Sequence, residues 1–314
     1  MEPPTTADAS RQDPVPGGFD AVLAAAVRDL PPGLRTRFAP APTGFLHLGH
    51  VANALVVWQV ARASRGSVIL RIEDHDRQRC RPEFETTLLH DLETLGFVPD
   101  EPAIAELRDG RPSSYRQSDN GGAYRTAASV LDTQGLVYAC DCTRTTFAQW
   151  AVANGARWAG PGCPGGCAGR NLDRQAGGTT WRAGLGRGGE AWTDLVLGPR
   201  SGPVADAGDL PILDRHGNWT YAFCVVVDDL RHEIDLVIRG EDLLDATPAQ
   251  IRLGRLLGRA EPPRFLHHPL IRRPDGRKLS KADGATSIRD RLRAGASASE
   301  LRGEAAARIG LARD

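Results

Sequence analysis

Of the 39 basic residues in this 314-residue chain only two are lysines, Lys278 and Lys281. They share one short stretch, Lys278-Leu279-Ser280-Lys281. A composition that writes arginine everywhere else keeps lysine where a guanidinium cannot substitute. Lysine is a compact point charge on a flexible stem, whereas arginine is a wide planar fork. A cation that must follow a phosphate through a reaction needs the former. The plainer reading is a solvated basic turn, because Asp275-Gly276 and Asp283-Gly284 flank the pair.

A second constellation lies far upstream, in Arg37-Phe38-Ala39-Pro40-Ala41-Pro42-Thr43-Gly44-Phe45-Leu46-His47-Leu48-Gly49-His50. A Pro/Gly loop leads into a helical pattern there. Gly44 and Gly49 permit close approach of a ligand to the backbone, and a helix start offers free N–H groups and partial positive charge to an anion. His47 and His50 are three apart and share a helix face. Both can donate to a phosphate without carrying a permanent charge, and both could equally hold a metal or cap the helix. Together the two constellations suit a nucleotide triphosphate held at a helix start and covered by mobile ammonium groups.

The third constellation is Cys140-Asp141-Cys142 with Cys163-Pro164-Gly165-Gly166-Cys167. Paired short spacings in a chain without a secretory signal pattern indicate a metal more than disulfides. Four thiolates can wrap one tetrahedral Zn²⁺ and leave no position for water, which makes a structural site. The alternative is four unligated thiols in a glycine-rich segment. Cys80 and Cys224 read as small buried hydrophobes.

The elements that must position these residues follow from periodicity. Residues 1–18 are polar and Pro-rich and read as a disordered tail, with a short helical pattern from Phe19 to Leu30. Residues 35–39 suit a first strand, His47 to Ser64 a helix ended by Gly66, and Val68 to Ile72 a second strand. That succession is a βαβ unit of a parallel sheet. Pro82 to Leu95 is a further helix. From about 106 to 200 glycine becomes dense and periodicity weakens, as in an insertion between two halves of a sheet. Parallel-strand signals return at Val225-Val226-Val227-Asp228-Asp229 and at Asp235 to Asp242, followed by a helix from Thr247 to Leu257. The chain has ordinary globular composition and zero formal net charge, which argues against indiscriminate nucleic-acid binding. No apolar run approaches the roughly 20 residues of a membrane span, so a cytoplasmic protein is expected.

These motifs resemble the two signatures of class I aminoacyl-tRNA synthetases, with His47-Leu48-Gly49-His50 as the HIGH element and Lys278 to Ala282 as KMSKS. Over residues 34–293 the chain is similar to the glutamyl/glutaminyl branch. Arg37-Phe38-Ala39-Pro40, Arg71-Ile72-Glu73-Asp74, Val227-Asp228-Asp229 and Val237 to Leu243 are phrases of that branch. His75 departs from the usual Thr, and Ala41 from a Ser that often contacts the amino acid. The resemblance implies an α/β fold: a Rossmann-type parallel sheet, a zinc-bearing insertion and a short helical C-terminal segment. The implied division is an N-terminal extension (1–33), a first catalytic half (34–105), an acceptor-type insertion (106–200), a second catalytic half (201–260) and the KMSKS and helical segment (261–314). No anticodon-binding domain is expected after it.

The resemblance further implies ATP, with Mg²⁺, at His47, Gly49, His50 and Lys281, and catalysis by His47, His50, Lys278 and Lys281. L-Glutamate would meet Arg37, Phe38, Ala39, Pro40, Ala41, Glu73, Tyr221 and Arg239. Charge logic agrees: two arginines can each fork onto a carboxylate, and Glu73 can hold the ammonium. A salt bridge to a neighbouring acid is the ordinary alternative for either arginine, and Asp228 and Asp229 read as structural. Zinc is implied at Cys140, Cys142, Cys163 and Cys167, although relatives often have Tyr at the position of Cys163. Within the branch, the short architecture and Val225, where full-length glutamyl enzymes tend to have Asn, resemble the family of glutamyl-Q tRNA(Asp) synthetases. That implies tRNA-independent activation of glutamate and its transfer to queuosine in the anticodon loop of tRNA(Asp), by a monomer. The alternatives are ordinary charging of a tRNA 3′ end and a non-catalytic zinc-bearing RNA-binding module.

Overall fold

The computed structural model describes residues 18–155, 162–204, 208–272 and 286–312. The first βαβ unit forms as its pattern predicts. Helix α1 (Gly18–Arg28) precedes strand β1 (Arg35–Phe38), helix α2 (Leu48–Ala63) and strand β2 (Ser67–Leu70). β1 and β2 pair in parallel with Arg35 opposite Ser67 and Phe38 opposite Leu70. Their last three residues are buried in each case, as expected for strands covered on both faces. Helix α3 (Pro82–Leu95) opens on a proline, whose missing N–H costs nothing at a helix start, and ends on Gly96 at φ 78°.

A short helix α4 (Ile104–Arg108) and helix α5 (Gly121–Thr133) lead into strand β3 (Val137–Cys140) and helix α6 (Arg144–Ala153). Strands β4 (Thr180–Ala183), β5 (Gly189–Asp194), β6 (Gly198–Pro203) and β7 (Leu210–Leu213) follow. Then come helix α7 (Tyr221–Arg231), strand β8 (Leu236–Gly240), helix α8 (Thr247–Leu256), strand β9 (Arg264–His268) and helices α9 (Ile288–Arg293) and α10 (Ala298–Ile309). The main sheet has the order β2-β1-β8-β9-β5-β6. It is parallel except for the β5–β6 hairpin at its edge. A separate antiparallel sheet, β3-β4-β7, carries the insertion.

Two features differ from expectation. Val225 to Asp229 is not a strand but the middle of α7. A run of valines bounded by turn residues fits a buried strand or a buried helix equally, and here the burial decides. Phe223 to Asp229 are all buried, because α7 lies among α5, α8 and β7. The second feature is the edge hairpin. Residues 189–203 pair with the main sheet through Asp194 opposite Phe265, whereas β7, beyond residue 200, belongs to the insertion sheet. Sheet pairing therefore does not follow a boundary at residue 200.

The largest apolar cluster packs α1, α2, α3 and α10 on one face of the main sheet, and a second joins the insertion sheet to α5, α7 and α8. α2 is rooted in the first of these, with Val56, Val57 and Val60 fully buried. Each such side chain contributes about 1.5–3 kcal/mol relative to an exposed one. That anchoring fixes where the helix start points. No helix among the described residues is long and apolar enough to cross a membrane.

Candidate active site

The start of α2 is built by its own histidines. His47 is the N-cap in extended conformation, and its Nδ1 accepts the Gly49 N–H at 3.1 Å. His50 Nδ1 accepts the His47 N–H, also at 3.1 Å. This reciprocal arrangement is a capping box with imidazoles in place of the usual hydroxyl and carboxyl. It has a chemical consequence. A ring nitrogen that accepts carries no proton, so the neutral imidazole has its N–H on Nε2. Both histidines therefore carry their N–H on Nε2, at a helix end that already favours anions. Gly49 is required by the cap, since a Cβ there would lie 2.9 Å from His47 Cε1.

A cavity of about 250 Å³ opens at this helix start. It lies at the carboxyl ends of β1 and β8, where open α/β sheets bind ligands. Arg37, Ala39, His47, Gly49, His50, Glu73, Tyr221 and Arg239 all line it. Residues far apart in the chain thus converge as their motifs predict.

The charged groups are held in a buried lattice. Arg37 donates through Nε to Asp229 Oδ1 at 3.1 Å and through Nη1 to the Ile238 carbonyl at 3.2 Å. Its Nη2 has no partner among the described residues. Arg71, wholly buried, reaches Asp229 at 2.7 Å and Glu73 at 2.9 Å. Burial opposes its charge, but Asp229, Glu73 and Asp228 outweigh that and hold its pKa above the usual arginine value. Asp229 is likewise kept below the usual carboxylate range by Arg37 and Arg71, against the opposing effect of burial. Asp228 and Asp229 are structural in this sense: they hold cations in place behind the cavity.

Arg239 is fixed from α8 and β9. It donates to His267 Nε2 at 3.0 Å, Gln250 Oε1 at 2.6 Å and Thr247 Oγ1 at 2.8 Å. His267 in turn donates from Nδ1 to Asp194 Oδ2 at 2.6 Å. Burial, the main influence, lowers the His267 pKa, so the ring is neutral and its tautomer is set by Asp194. Burial also raises the pKa of Tyr221, with Glu73 adding to it, which keeps the phenol protonated.

Other expected positions fall differently. Phe38 is core, packed edge-on against Trp58 with centroids 5.6 Å apart. Phe38, Pro40 and Ala41 do not line the cavity. Lys278 and Lys281 lie outside the described residues. The chain just after them is tied to the histidine loop, since Ile288 N donates to the Leu46 carbonyl at 2.8 Å and Arg289 sits 3.5 Å over the Phe45 ring. Sequence reasoning missed Asn53 and His268, which meet at 2.9 Å on the cavity wall. Asn53 stands one turn beyond His50 on the same face of α2, a spacing that was readable. β9, which carries His268, lacks a distinctive pattern.

The four expected cysteines do converge. The sulfurs of Cys140, Cys142, Cys163 and Cys167 all lie within 4.8 Å of one another, with Cys142 and Cys167 at 3.4 Å. Tetrahedral Zn–S bonds of about 2.3 Å require sulfurs roughly 3.8 Å apart. An all-thiol donor set at that spacing fits a soft tetrahedral ion. Arg170, which pairs with Asp141 at 2.6 Å, approaches Cys167 Sγ at 3.5 Å and suits an anionic thiolate cluster.

Comparison with known proteins agrees with this geometry. Residues 33–311 match the family of class I tRNA synthetases (E and Q), catalytic domain. A glutamyl-Q tRNA(Asp) synthetase of Symbiobacterium thermophilum is 40% identical over 285 residues, covering 88% of this chain and 86% of that protein. A glutamate–tRNA ligase 2 of Syntrophus aciditrophicus is 38% identical over 262 residues, covering 82% of this chain but 53% of that protein. Among solved structures, a glutamate tRNA ligase from Elizabethkingia meningosepticum in complex with its amino acid superposes with a TM-score of 0.67 at 30% identity, covering 80% of this chain and 52% of that one. The chain therefore belongs to the class I tRNA synthetases of the glutamyl and glutaminyl type, and it is a ligase.

Proposed function

We propose that this enzyme activates L-glutamate with MgATP in the absence of tRNA and transfers it to queuosine of tRNA(Asp). The observation that carries the activation step is the charge pattern of one cavity. Arg37, Arg239 and Glu73 line it together, with Asp242 and the two histidines whose N–H is on Nε2. Glutamate presents the complement, two carboxylates and one ammonium, and ATP supplies the anion for the helix start. The finer acceptor reading is supported by the relative of that name, matched over most of both chains. Val225 supports it too. It lies one helical turn after Tyr221 and is buried, so the wall of the amino-acid site is backed there by an apolar residue.

In this reading Arg37 Nη2 and the guanidinium of Arg239 receive the two carboxylates, Glu73 accepts from the ammonium and Tyr221 walls the site. The imidazole donors of His47 and His50, with Lys278 and Lys281, stabilise the phosphates. The glutamate α-carboxylate attacks the α-phosphorus in line and pyrophosphate leaves. Positioning and charge stabilisation supply most of the rate. The four cysteines hold a structural Zn²⁺ that stiffens the insertion without entering the chemistry.

Exchange of labelled pyrophosphate into ATP tests the activation step. Glutamate alone should support it without tRNA. Glutamine should not, because its neutral amide brings no charge to the arginine that the glutamate side-chain carboxylate would meet, at a cost of roughly 3–5 kcal/mol. Exchange that needs tRNA, or that glutamine supports equally, contradicts the reading.

A further inference from the structure

Transfer needs a base for the incoming hydroxyl, and the histidines can be searched one by one. The chain has eight. His47 and His50 use Nδ1 as acceptors, so their N–H is on Nε2 and neither ring keeps a lone pair for a proton. His267 accepts from Arg239 and donates to Asp194. His268 donates from Nδ1 to the Pro269 carbonyl, which makes its Nε2 the acceptor for Asn53. His232 packs on Tyr115 and donates to the Ser114 carbonyl, away from the cavity. His90 and His216 are exposed on α3 and in a turn.

His75 is different. Its Nδ1 lies 2.7 Å from Gln117 Oε1, and an amide oxygen only accepts, so Nδ1 carries the proton. The orientation of that amide is itself fixed, because Gln117 Nε2 donates to Asp228 Oδ2 at 2.9 Å. Asp228 is held by Tyr124 at 2.8 Å and Arg231 at 2.8 Å. Gln117, Asp228 and Tyr124 are each 1% exposed. A buried chain of hydrogen bonds thus dictates one tautomer of a half-buried histidine, leaving the Nε2 lone pair without a partner among the described residues. His75 follows Glu73 by two residues, and its ring centroid is 6.2 Å from that of Tyr221. Both neighbours line the cavity, and His75 adjoins it behind them without lining it.

We propose that His75 is the general base of the transfer step, an inference that rests on the glutamate-activation reading above. The acceptor hydroxyl oxygen bonds to the carbonyl carbon of glutamyl-adenylate as its proton passes to His75 Nε2. The bond from that carbon to the phosphate oxygen breaks, and AMP leaves with the electron pair. The chemical class of the acceptor is a sugar-like or ring secondary hydroxyl, which both queuosine and a 3′-terminal ribose present.

The test separates the two half-reactions. Wild type, His75→Asn and His75→Ala are loaded with ATP and glutamate. Adenylate formation is followed by pyrophosphate exchange, and single-turnover transfer is followed with queuosine-containing tRNA(Asp), unmodified tRNA(Asp) and tRNA(Glu). Both variants should form adenylate within about threefold of wild type, which also shows that they fold. Transfer should fall on the order of 100-fold. Added imidazole should restore transfer in His75→Ala. Transfer at wild-type rate by His75→Asn, or no rescue by imidazole in His75→Ala, overturns the assignment. Failure of wild-type exchange with glutamate overturns the underlying reading, and the assignment with it. Transfer by wild type to tRNA(Glu) instead overturns only the choice of hydroxyl.

Discussion

At the scale of residues, the site separates groups that line the cavity from groups that hold them in place. Arg71 touches no ligand in this account, yet it joins Asp229 and Glu73 beneath the cavity floor. Replacing it by Met leaves those buried acids short of a cation, and Arg71→Met should lose about 3–5 kcal/mol in urea unfolding. A loss below 1 kcal/mol would mean that the lattice is not structural. For the phosphates, Lys281→Ala should lower pyrophosphate exchange on the order of 100-fold with the fold intact. Lys281→Arg should also be impaired, because the fork is too wide, and a wild-type rate for it would remove the reason for the lysine. The residues that converge in the cavity and in the cysteine cluster were legible where chemistry dictated type and spacing, as in the histidine pair, the two arginines and the four cysteines. What spacing could not reveal was the second partner of each. Arg37 was readable as a carboxylate binder, but its bond to Asp229 needs a contact across 192 residues of chain. The tautomers of His47 and His50 emerge only from the cap.

At the scale of elements, legibility followed periodicity. α2 and α3 carry helical patterns with proline or glycine at their ends, and their limits were readable within a residue or two. α7 was not, because valine runs say "buried" without saying "strand". The β5–β6 hairpin was not, because its alternating pattern is diluted by glycine and its pairing partner β9 lies far along the chain. Two predictions belong here. Asp91 in α3 is buried, and neither carboxyl oxygen has a hydrogen-bond partner among the described residues. Burial is the main cause that pushes its pKa up from 3.8 to about 6, with Asp290 adding and His90, Arg289 and Arg293 opposing. A raised folded-state value means that protonated Asp91 favours the fold. Its stability is full below the unfolded pKa and is lost as pH rises through about 6. Asp91→Asn should therefore flatten stability between those limits and gain about 1–3 kcal/mol at neutral pH. A melting series across that range checks it. The insertion makes the second prediction. Protein prepared without chelator should carry about one zinc per chain. Its removal should lower the melting temperature of the insertion more than the rate of pyrophosphate exchange, because the cysteines lie outside the cavity.

At the scale of the whole molecule, a parallel sheet supplies the cavity, helix α2 opens onto it, and an inserted antiparallel sheet carries the cysteine cluster. The activation chemistry invoked here lies within residues that match the family's catalytic domain. What remains for the molecule as a whole is the choice of acceptor. The central claim is tested most directly by incubating the enzyme with ATP and labelled glutamate beside three RNAs: queuosine-containing tRNA(Asp), unmodified tRNA(Asp) and tRNA(Glu). The account predicts label on the first alone, retained on the anticodon-loop fragment after nuclease digestion. Label on tRNA(Glu), or equal label on both forms of tRNA(Asp), would contradict it in favour of 3′-end charging.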